Sequence, residues 1–426
     1  MTAKPYPAYF PSGTTWLGEV PTTWNVGPLG VHFRERKETV SDTEFPPLSV
    51  TMAGIVPQLE TAAKTDNGDN RKRVEPNDFV INSRSDRKGS SGVSPLRGSV
   101  SVISIVLESR DLDPRFVHHL LRSEPFQEEF YRFGSGIVAD LWSTRYSMMK
   151  QITLAVPPRA DQRQIADYLD AQTAKIDALI EKQEKLIETL AERRQALISH
   201  AVTKGLDPNV PMKDSGMQWI GKVPEQWSLK RISWLFRTVG SGTTPPSDSE
   251  LYYGEGLSWV TTGELREGTI TETAKSVTEL ALSSFTTLRV YEPGTLLIAM
   301  YGATIGRLAV LSIPACTNQA CCAMAEPVGV LTRFAFYALL AAREQILVLA
   351  VGGGQPNINQ EVLRSLRLPT PPMSEQRAII AHLDHETSKI DALSDKAREM
   401  IDVLKERRQA LISAAVTGKI DVRGLT

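Results

Sequence analysis

Residues 157–203 read PPRADQRQIADYLDAQTAKIDALIEKQEKLIETLAERRQALISHAVT, and residues 371–417 read PPMSEQRAIIAHLDHETSKIDALSDKAREMIDVLKERRQALISAAVT. The stretches align without a gap and are identical at more than half of their positions, so the chain contains an internal repeat. Each stretch opens on a Pro-Pro pair that cannot continue a preceding helix, and no further proline or glycine interrupts it. The repeat predicts two helices of about 40 residues, roughly 60 Å each, which end near Gly205 and Gly418.

Apolar residues recur every seven positions along both predicted helices, as in a coiled coil. One seam position is predicted at Leu169, Ile176, Gln183, Leu190 and Leu197, and at Leu383, Ile390, Ala397, Leu404 and Leu411. The other is predicted at Ile165, Gln172, Leu179, Leu186 and Arg193, and at Ile379, Glu386, Leu393, Met400 and Arg407. About five heptads make a seam too long for a domain of roughly 130 residues to cover. We therefore expect the helices to pair with each other, antiparallel, rather than each to pack only on its own domain.

A shorter repeat precedes each half: WLGEVPTTW at 16–24 returns as WIGKVPEQW at 219–227. The regions that follow, about 25–155 and 228–368, show no obvious likeness in sequence. Val100–Leu107 and Leu296–Met300 are predicted strands, and Arg115–Ser123 and Arg333–Ala342 are predicted helices. The tryptophans of the repeat, and Trp259, are expected in cores.

These patterns predict an α+β chain: two globular mixed α/β domains separated by two long matching helices that form an antiparallel coiled coil, with a pseudo-twofold arrangement. The expected boundaries are 1–156 for the first globular domain, 157–205 for the first helix and 206–227 for a linker with the repeated segment. The second globular domain is expected at 228–370, and the second helix with a tail at 371–426.

Composition excludes several classes of protein. No apolar run reaches the roughly 18 residues that a membrane span needs, and MTAKPYPAYFPSG lacks the basic start and apolar core of a signal peptide, so a cytoplasmic protein is expected. The formal net charge is −1, so any DNA binding must come from local basic loops or from partners. Cys316, Cys321 and Cys322 are expected to be buried free thiols, and no metal site is predicted.

Motifs for catalysis are missing from the sequence. It has no Gly-x-x-x-x-Gly-Lys-Ser/Thr phosphate loop, no Asp/Asn-Pro-Pro-Tyr/Phe motif of an amino-methyltransferase and no Asp…Glu-x-Lys nuclease cluster. No catalytic residue is therefore predicted.

The repeats and their order resemble the specificity subunits of Type I restriction–modification enzymes. The resemblance lies in the Pro-Pro…Gln-Arg helix starts, the ERRQALIS helix ends and the Trp-x-Gly-x-x-Pro-x-x-Trp segments, and it covers essentially the whole chain. The second variable region adds GSGTTP at 240–245, LSWVTTGEL at 257–265, MYGATIG at 300–306, TNQA at 317–320 and GQPNI at 354–358. The first region matches more loosely through PNDFVINSR at 76–84, where Asn77 stands at a position often occupied by glycine.

The resemblance implies two target-recognition domains that each read one half of a bipartite, asymmetric double-stranded DNA target. It also implies two adenine-N6 methyltransferase subunits and, for restriction of foreign DNA such as phage DNA, two restriction/translocase subunits. S-adenosylmethionine, ATP and Mg²⁺ would be used by those partners, and this chain would bind no cofactor and no membrane. The alternative function is a non-catalytic coiled-coil scaffold or adaptor with duplicated binding modules; a self-contained restriction enzyme or methyltransferase is disfavoured by the missing motifs.

Candidate DNA contacts lie in basic or polar loops, since arginine pairs well with guanine, asparagine and glutamine with adenine, and any cation with phosphate. Solvated surface charge is the alternative interpretation for the basic residues. In the first region the candidates are Arg71, Lys72, Arg73, Asn82, Arg84, Arg87 and Lys88, and in the second they are Thr243, Thr244, Tyr301, Arg307, Asn318, Gln319, Gln355 and Asn357. Gln162, Arg163, Gln376 and Arg377, together with the leucines and isoleucines of the first seam position, are the candidates for coiled-coil or partner-subunit contacts.

Overall fold

The structure is a computed structural model that describes residues 4–60, 68–136, 142–247, 249–350 and 357–425, apart from the side chain of Ser85. It divides into two compact units: unit 1 is Met1–Glu184 with Arg398–Thr426, and unit 2 is Lys185–Ala397. The predicted strand over Val100–Leu107 is two strands, because a turn at residues 102–103 separates β11 (Gly98–Ser101) from β12 (Ser104–Ser109), and the two strands belong to different sheets. The other predicted strand and both short helices are confirmed to within one residue.

Unit 1 opens with short strands and ends its globular part at the start of a long helix. Its elements are β1 (Tyr9–Pro11), β2 (Glu19–Pro21), β3 (Asn25–Pro28), α1 (Leu29–His32), β4 (Phe33–Glu35), β5 (Thr39–Val40), β6 (Leu48–Thr51), β7 (Gly54–Pro57), β8 (Arg71–Val74), β9 (Phe79–Asn82), β10 (Ser91–Val93), β11 (Gly98–Ser101), β12 (Ser104–Ser109), α2 (Pro114–Arg122), α3 (Glu124–Arg132), α4 (Tyr146–Met149), β13 (Thr153–Val156) and the first part of α5 (Arg159–Lys204).

Unit 2 follows the same plan after the rest of α5. Its elements are β14 (Met212–Asp214), β15 (Lys222–Pro224), β16 (Ser228–Arg231), α6 (Ile232–Leu235), β17 (Phe236–Ser241), β18 (Tyr253–Val260), β19 (Gly268–Ile270), β20 (Ser276–Val277), α7 (Glu279–Ser284), β21 (Leu296–Ala299), β22 (Leu308–Leu311), β23 (Ala315–Thr317), β24 (Cys321–Pro327), α8 (Thr332–Ala341), α9 (Arg343–Val348), α10 (Gln360–Ser365), β25 (Arg367–Thr370) and the first part of α11 (Met373–Val416).

The two variable regions share one fold, although their sequences show no obvious likeness. The main sheet has the order β10-β9-β12-β4 in unit 1 and β22-β21-β24-β17 in unit 2, where β19 is added beside β22. A two-stranded ladder, β3 with β13 or β16 with β25, links the strand that opens each variable region to the last strand before the long helix. The amide of Leu29 donates to Ile152 O at 2.8 Å, and the equivalent amide of Ile232 donates to Leu366 O at 2.9 Å. Each unit is therefore the same scaffold with different loops.

A buried glutamine ties each scaffold to the start of its long helix. Gln162 is 3% exposed; its Oε1 accepts from the amide of Asp113 and its Nε2 donates to Pro157 O, both at 2.9 Å. Gln376 is fully buried and makes the equivalent bonds with Leu331 N (2.7 Å) and Pro371 O (2.9 Å). The repeated Pro-Pro…Gln motif thus satisfies buried backbone groups within its own unit, so these two glutamines lie in neither the seam nor an exposed surface.

The long helices α5 and α11 run antiparallel in both units, as predicted. In unit 1 Arg408 Nε donates to Asp177 Oδ1 at 2.9 Å, and Arg423, beyond the end of α11, reaches Asp161 near the start of α5 at 3.3 Å. In unit 2 the repeat-related pair forms the same bond, Arg194 Nε to Asp391 Oδ1, at 3.0 Å. The helices end where glycine takes a left-handed conformation, with φ of 78° at Gly205 and 75° at Gly418.

The second of the two seam positions predicted from the heptads is buried as expected at Ile165 and Ile379, but farther along each helix it is wrong by one residue. Leu169, Ile176, Leu190, Leu383, Ile390 and Leu404 are at most 6% exposed, and Leu197 and Leu411 are half-buried. In contrast, Leu179, Leu186, Leu393 and Met400 are 43–52% exposed. The inward second position is Thr173, Ile180, Ile187 and Arg194 in α5 and Thr387, Ser394, Ile401 and Arg408 in α11. Since residues three and four positions away both lie near the same helix face, the heptad count alone did not separate them.

The globular cores contain the predicted tryptophans. Trp24, Trp227 and Trp259 are at most 4% exposed, while Trp16 and Trp219 pack at the margins of the cores of units 1 and 2. The three cysteines are free and buried as expected. Within the described residues, no helix combines the length and the apolar character needed to cross a membrane.

Candidate nucleic-acid interface

The exposed cations Arg84, Arg87 and Lys88 lie on the turn that joins β9 to β10 in unit 1. The turn contains a single 3-10 turn, Ser85–Arg87, and then Gly89, whose φ of 84° is a conformation that glycine adopts without strain. Asn82 begins the turn and accepts a hydrogen bond from the amide of Arg84 at 3.0 Å through its Oδ1. The amide of Thr144 donates to Ser83 O at 3.0 Å and attaches the turn to the following segment. A short, well-tied turn therefore presents the cations.

This turn forms one wall of an open cleft of about 670 Å³ in unit 1. The lining is a mixture of cationic, hydroxyl and amide groups with a few apolar ones: Leu48, Ser49, Val50, Thr51, Met52, Gln58, Leu59, Arg71, Asn82, Arg84, Asp86, Arg87, Lys88, Ser90, Ser101, Ile103 and Ser104. Arg84 makes no ion pair with another described residue, and Arg87 lies 3.7 Å from Asp86. Lys88 contacts Glu128 and lies 5.6 Å from the ring centre of Tyr131. Fork-shaped donors on an open, polar cleft suit recognition of phosphates and base edges.

Arg71, Lys72 and Arg73 lie in a strand and not in the loop that was predicted. They form most of β8, which pairs with β11 and β5. Arg71 is 5% exposed and donates to the Ser99 hydroxyl at 2.8 Å, and burial lowers its pKa. Lys72 is bound by Glu35 at 3.1 Å, and Arg73 by the carboxylates of Glu38 and Glu75. The cations of β8 are thus engaged inside unit 1, and only Arg71 borders the cleft.

Met52 at the tip of the β6–β7 hairpin is a candidate site residue that the sequence analysis missed. Its side chain is 72% exposed and lines the cleft beside the cationic turn. The hairpin tip is fixed because Thr51 Oγ1 donates to Gly54 O at 2.9 Å and the guanidinium of the half-buried Arg122 donates to Met52 O. An exposed methionine on a fixed tip provides an apolar contact of the kind that touches thymine methyl groups or base steps. The hydrophobic pattern gave no signal, because a single apolar residue in a turn has no period.

Unit 2 has the same strand–turn–strand device at the equivalent place. Strand β21 is followed by a 3-10 turn at Gly302–Thr304, by Gly306 with a φ of 76°, and by β22. Tyr301 occupies the place of Arg84: Arg84 forms an isolated β-bridge with Ser143, and Tyr301 forms one with Asn357. Tyr301 is 43% exposed. The same backbone therefore presents a phenol in unit 2 where unit 1 presents a guanidinium.

The other candidates of unit 2 approach this turn from neighbouring strand ends. The hydroxyl of Thr244, beyond β17, donates to Gln319 Oε1 beyond β23, while Thr243 O accepts from Trp259 Nε1 at 3.2 Å. Asn318 is half-buried and accepts from the amide of Ala320, whose carbonyl receives the amide of Met300 next to Tyr301. A side chain at Gly242 would collide with Thr317 O, so glycine is required for this approach.

Two candidate DNA contacts of unit 2 remain, Arg307 and Gln355. Arg307 is half-buried and forms no ion pair within the described residues. Gln355 lies outside the described residues.

The helix-start arginines are exposed, unlike the glutamines beside them. Arg163 has a side chain that is 62% exposed and lies 3.9 Å from Asp113, and Arg377 is exposed as well. They remain available to another molecule.

The buried thiols of Cys316 and Cys322 and the imidazole of His118 stabilise the fold and are not reactive. Burial raises the pKa of the Cys316 and Cys322 thiols to about 12, which keeps them protonated and unreactive. Burial and the neighbouring Arg122 hold the pKa of His118 at about 4, so its imidazole is neutral, and its Nε2 accepts from Arg122 at 2.8 Å. Across the described ranges, no group of three or more His, Cys, Asp or Glu side chains is arranged to hold a metal ion.

Comparisons with known proteins found relatives that are similar to this chain over most of its length. The family profile described as "Type I restriction modification DNA specificity domain" matches residues 224–400. The MjaX specificity subunit of a type I restriction enzyme from Methanocaldococcus jannaschii is 23% identical over 439 residues, which cover 96% of both chains. The MjaVIII specificity subunit of the same organism is 24% identical over 77% of this chain and 76% of its own length.

Solved structures share the fold. A chain from a study of "complex assembly and conformational transition of the type I R-M system" superposes with a TM-score of 0.71 at 18% identity, covering 93% of this chain and 98% of its own. The HsdS subunit from Thermoanaerobacter tengcongensis superposes with a TM-score of 0.52 at 18% identity, covering 94% and 98%.

Proposed function

We infer that this chain, a member of the Type I restriction–modification specificity subunits, recognises DNA without catalysing a reaction and directs the methylation or restriction carried out by partner subunits. The observation that carries this inference is the strand–turn–strand device, which recurs in both units with unlike side chains beside polar loops. A scaffold with duplicated binding modules would need no such divergence at equivalent positions, so that alternative is not favoured.

Each unit reads one half of a bipartite, asymmetric target. The domains at 1–156 and 228–370 act as the two readers, because they share a backbone but differ in the groups that they present. Arg84 and Arg87 match guanine edges and phosphates, whereas Thr244, Gln319 and Asn357 match adenine and other base edges. Half-sites on one face of a duplex lie about one helical turn apart, which leaves a gap of roughly 5–8 unspecified base pairs.

The partners are two adenine-N6 methyltransferase subunits and, for restriction, two restriction/translocase subunits. Support for duplicated docking comes from the repeated helices, whose Leu179, Leu186, Leu393 and Met400 expose apolar side chains at heptad spacing. Such side chains are suited to a helical partner. The partners, and not this chain, bind S-adenosylmethionine, ATP and Mg²⁺, and the complex acts in the cytoplasm.

The cationic turn gives a direct test in the assembled methyltransferase complex. The variant Arg84→Ala/Arg87→Ala/Lys88→Ala is compared with wild type by fluorescence anisotropy on a duplex that carries the target identified by methylome sequencing. Each lost phosphate contact lowers the slope of log K against log[salt] by about 0.9, so we expect a slope smaller by up to about 2.7.

The matched control, Arg84→Lys/Arg87→Lys/Lys88→Arg, keeps the three positive charges but exchanges guanidinium and ammonium groups. It should retain the salt slope, and it should lose discrimination at one half-site if an arginine fork reads a base edge. Wild-type affinity and slope for the alanine variant at every salt concentration would show that the turn is only solvated, and the assignment of the cleft would fail.

A further inference from the structure

Four exposed side chains, three cationic and one an indole, lie at the end of β16, on α6, at the start of β17 and at the start of β25 in unit 2. They are Arg231, Trp234, Arg237 and Arg367, hereafter the Trp234 face. Trp234 is 64% exposed, which is unusual for so large an apolar group, and the Cζ of Arg231 lies 6.0 Å from its ring centre. All three arginines are exposed.

The charges of this face are not neutralised within the described part of the chain. Arg231 stands directly opposite Arg367 in the β16–β25 ladder, where like charges destabilise the pairing. None of the three arginines forms an ion pair or a side-chain hydrogen bond to another described residue. Glu326, on the neighbouring strand β24, instead accepts from the hydroxyl of Thr238 at 3.1 Å and lies 4.0 Å from Arg289. The arrangement is suited to an anionic ligand, which would relieve the repulsion.

Unit 1 lacks this face at the equivalent positions of the shared fold. The β3–β13 ladder pairs Pro28 with Thr153 where unit 2 pairs the two arginines, and Val31 takes the place of Trp234. The equivalent of Arg237 is Arg34, which donates to Glu108 at 2.9 Å. A protein partner that docks on the duplicated helices meets both halves of the repeat, so a face present only in one half is not what such a partner needs.

The loops of unit 2 that are proposed to read bases carry few cations. Among their candidate residues only Arg307 is cationic, whereas the turn of unit 1 presents three cations. Strand β17 leads from the Trp234 face towards Thr244, and the seven residues from Arg237 span at most about 23 Å at 3.3 Å each. That length corresponds to roughly seven base pairs of duplex. A duplex that lies along β17 and meets the loops therefore also passes the face.

We propose that the Trp234 face binds the DNA phosphate backbone beside the second half-site. The guanidinium groups of Arg231 and Arg367 neutralise phosphates, and the indole of Trp234 packs on deoxyribose and holds Arg231 in place. The proposal rests on the proposed function, because it assigns an additional part of the same DNA surface.

The test measures DNA binding by the assembled methyltransferase complex with Arg231→Ser/Arg367→Ser in this chain. Loss of two phosphate contacts should lower the salt slope by about 1.8 and weaken binding roughly 60-fold at 0.1 M salt. Target and unrelated duplexes should be affected alike, because phosphate contacts carry no base information. The charge-preserving variant Arg231→Lys/Arg367→Lys should keep the wild-type slope, and Arg34→Ala in unit 1 should leave it unchanged.

Other outcomes overturn the proposal in distinguishable ways. An unchanged slope with intact assembly means that the face does not touch DNA. An unchanged slope with weakened assembly, measured by mass photometry, means that the face binds a protein partner instead. If the wild-type complex itself does not distinguish target from unrelated DNA, the proposed function fails before the face is tested.

Discussion

The corrected seam of the long helices predicts different effects on stability for two leucines one turn apart. Leu190 is 6% exposed and Leu186 is 43% exposed, and both lie on α5 within unit 2. We expect Leu190→Ala to destabilise the chain and Leu186→Ala to leave its stability almost unchanged, although both remove the same atoms from the same helix.

The expected loss of stability for each variant follows from how deeply the leucine is buried. Truncating a buried leucine to alanine costs about 2–5 kcal/mol, because the lost transfer energy is joined by the cost of a cavity. For a unit of this size, that corresponds to a Tm lower by between about 4 and 20 °C. An exposed leucine has little burial to lose, and alanine favours helix, so Leu186→Ala should stay within about 0.5 kcal/mol of wild type. The repeat offers an internal control in Leu404 and Met400, which are 6% and 49% exposed in unit 1.

Two assays separate stability from docking. Thermal unfolding of the isolated chain, followed by circular dichroism at 222 nm, should show the loss only for Leu190→Ala and Leu404→Ala. Titration with the methyltransferase subunit should show weaker assembly for Leu186→Ala/Met400→Ala, whose unfolding is unchanged. Equal destabilisation by Leu186→Ala and Leu190→Ala would refute the corrected seam, and normal assembly by the double variant would refute the docking of partners on the exposed stripe.

Three further results are expected. The pKa of His118 is held at about 4, below its ordinary value near 6.5, so the folded state favours the neutral ring. This preference contributes up to about 3 kcal/mol to stability above pH 6.5, and the contribution is lost as the pH falls towards 4. His118→Gln should therefore flatten the dependence of stability on pH in that window, and an unchanged profile would contradict the buried neutral ring. Replacing residues 25–155 by the first variable region of another family member should change one half of the methylated target only, whereas a change in both halves would contradict independent readers. Seven residues inserted after Gln183 and also after Ala397 keep the heptad register and lengthen both helices by about 10 Å. Methylome sequencing should then show a gap between the half-sites that is longer by up to roughly 3 base pairs. An active enzyme with the original gap would disprove that the helices set the spacing.

The repeat predicted the long helices because proline, glycine and heptad spacing are local signals. It also predicted one seam position, since Leu169, Ile176 and Leu190 are apolar in a strict heptad. The second position depended on which of two neighbouring faces meets the antiparallel helix. Ile180 and Leu179 are equally apolar, and only the opposite helix decides which of them turns inward.

The basic residues show the same division between local and distant information. Sequence identified Arg84 and Arg87 correctly as exposed, because glycine and serine around them signal a turn. It could not separate them from Arg71 and Arg73, whose charges are satisfied by Ser99, Glu38 and Glu75. Glu75 is close in sequence, but Ser99 lies 28 residues from Arg71 and Glu38 lies 35 residues from Arg73, so the sequence pattern carries no sign of those two pairings.

The likeness between the two readers was hidden because few side chains are needed to keep it. In the turn between β9 and β10 and its counterpart between β21 and β22, the common requirement is a glycine with positive φ, Gly89 or Gly306, before the second strand. Arg84, Arg87 and Lys88 before Gly89, and Tyr301 before Gly306, are exposed, so they carry little of the folding energy and are free to differ. Arg84 and Tyr301 occupy the same backbone position with unlike chemistry. A scaffold that fixes the backbone by one glycine and leaves the exposed side chains unconstrained can therefore acquire a new target by substitution in the turn, without a change of fold.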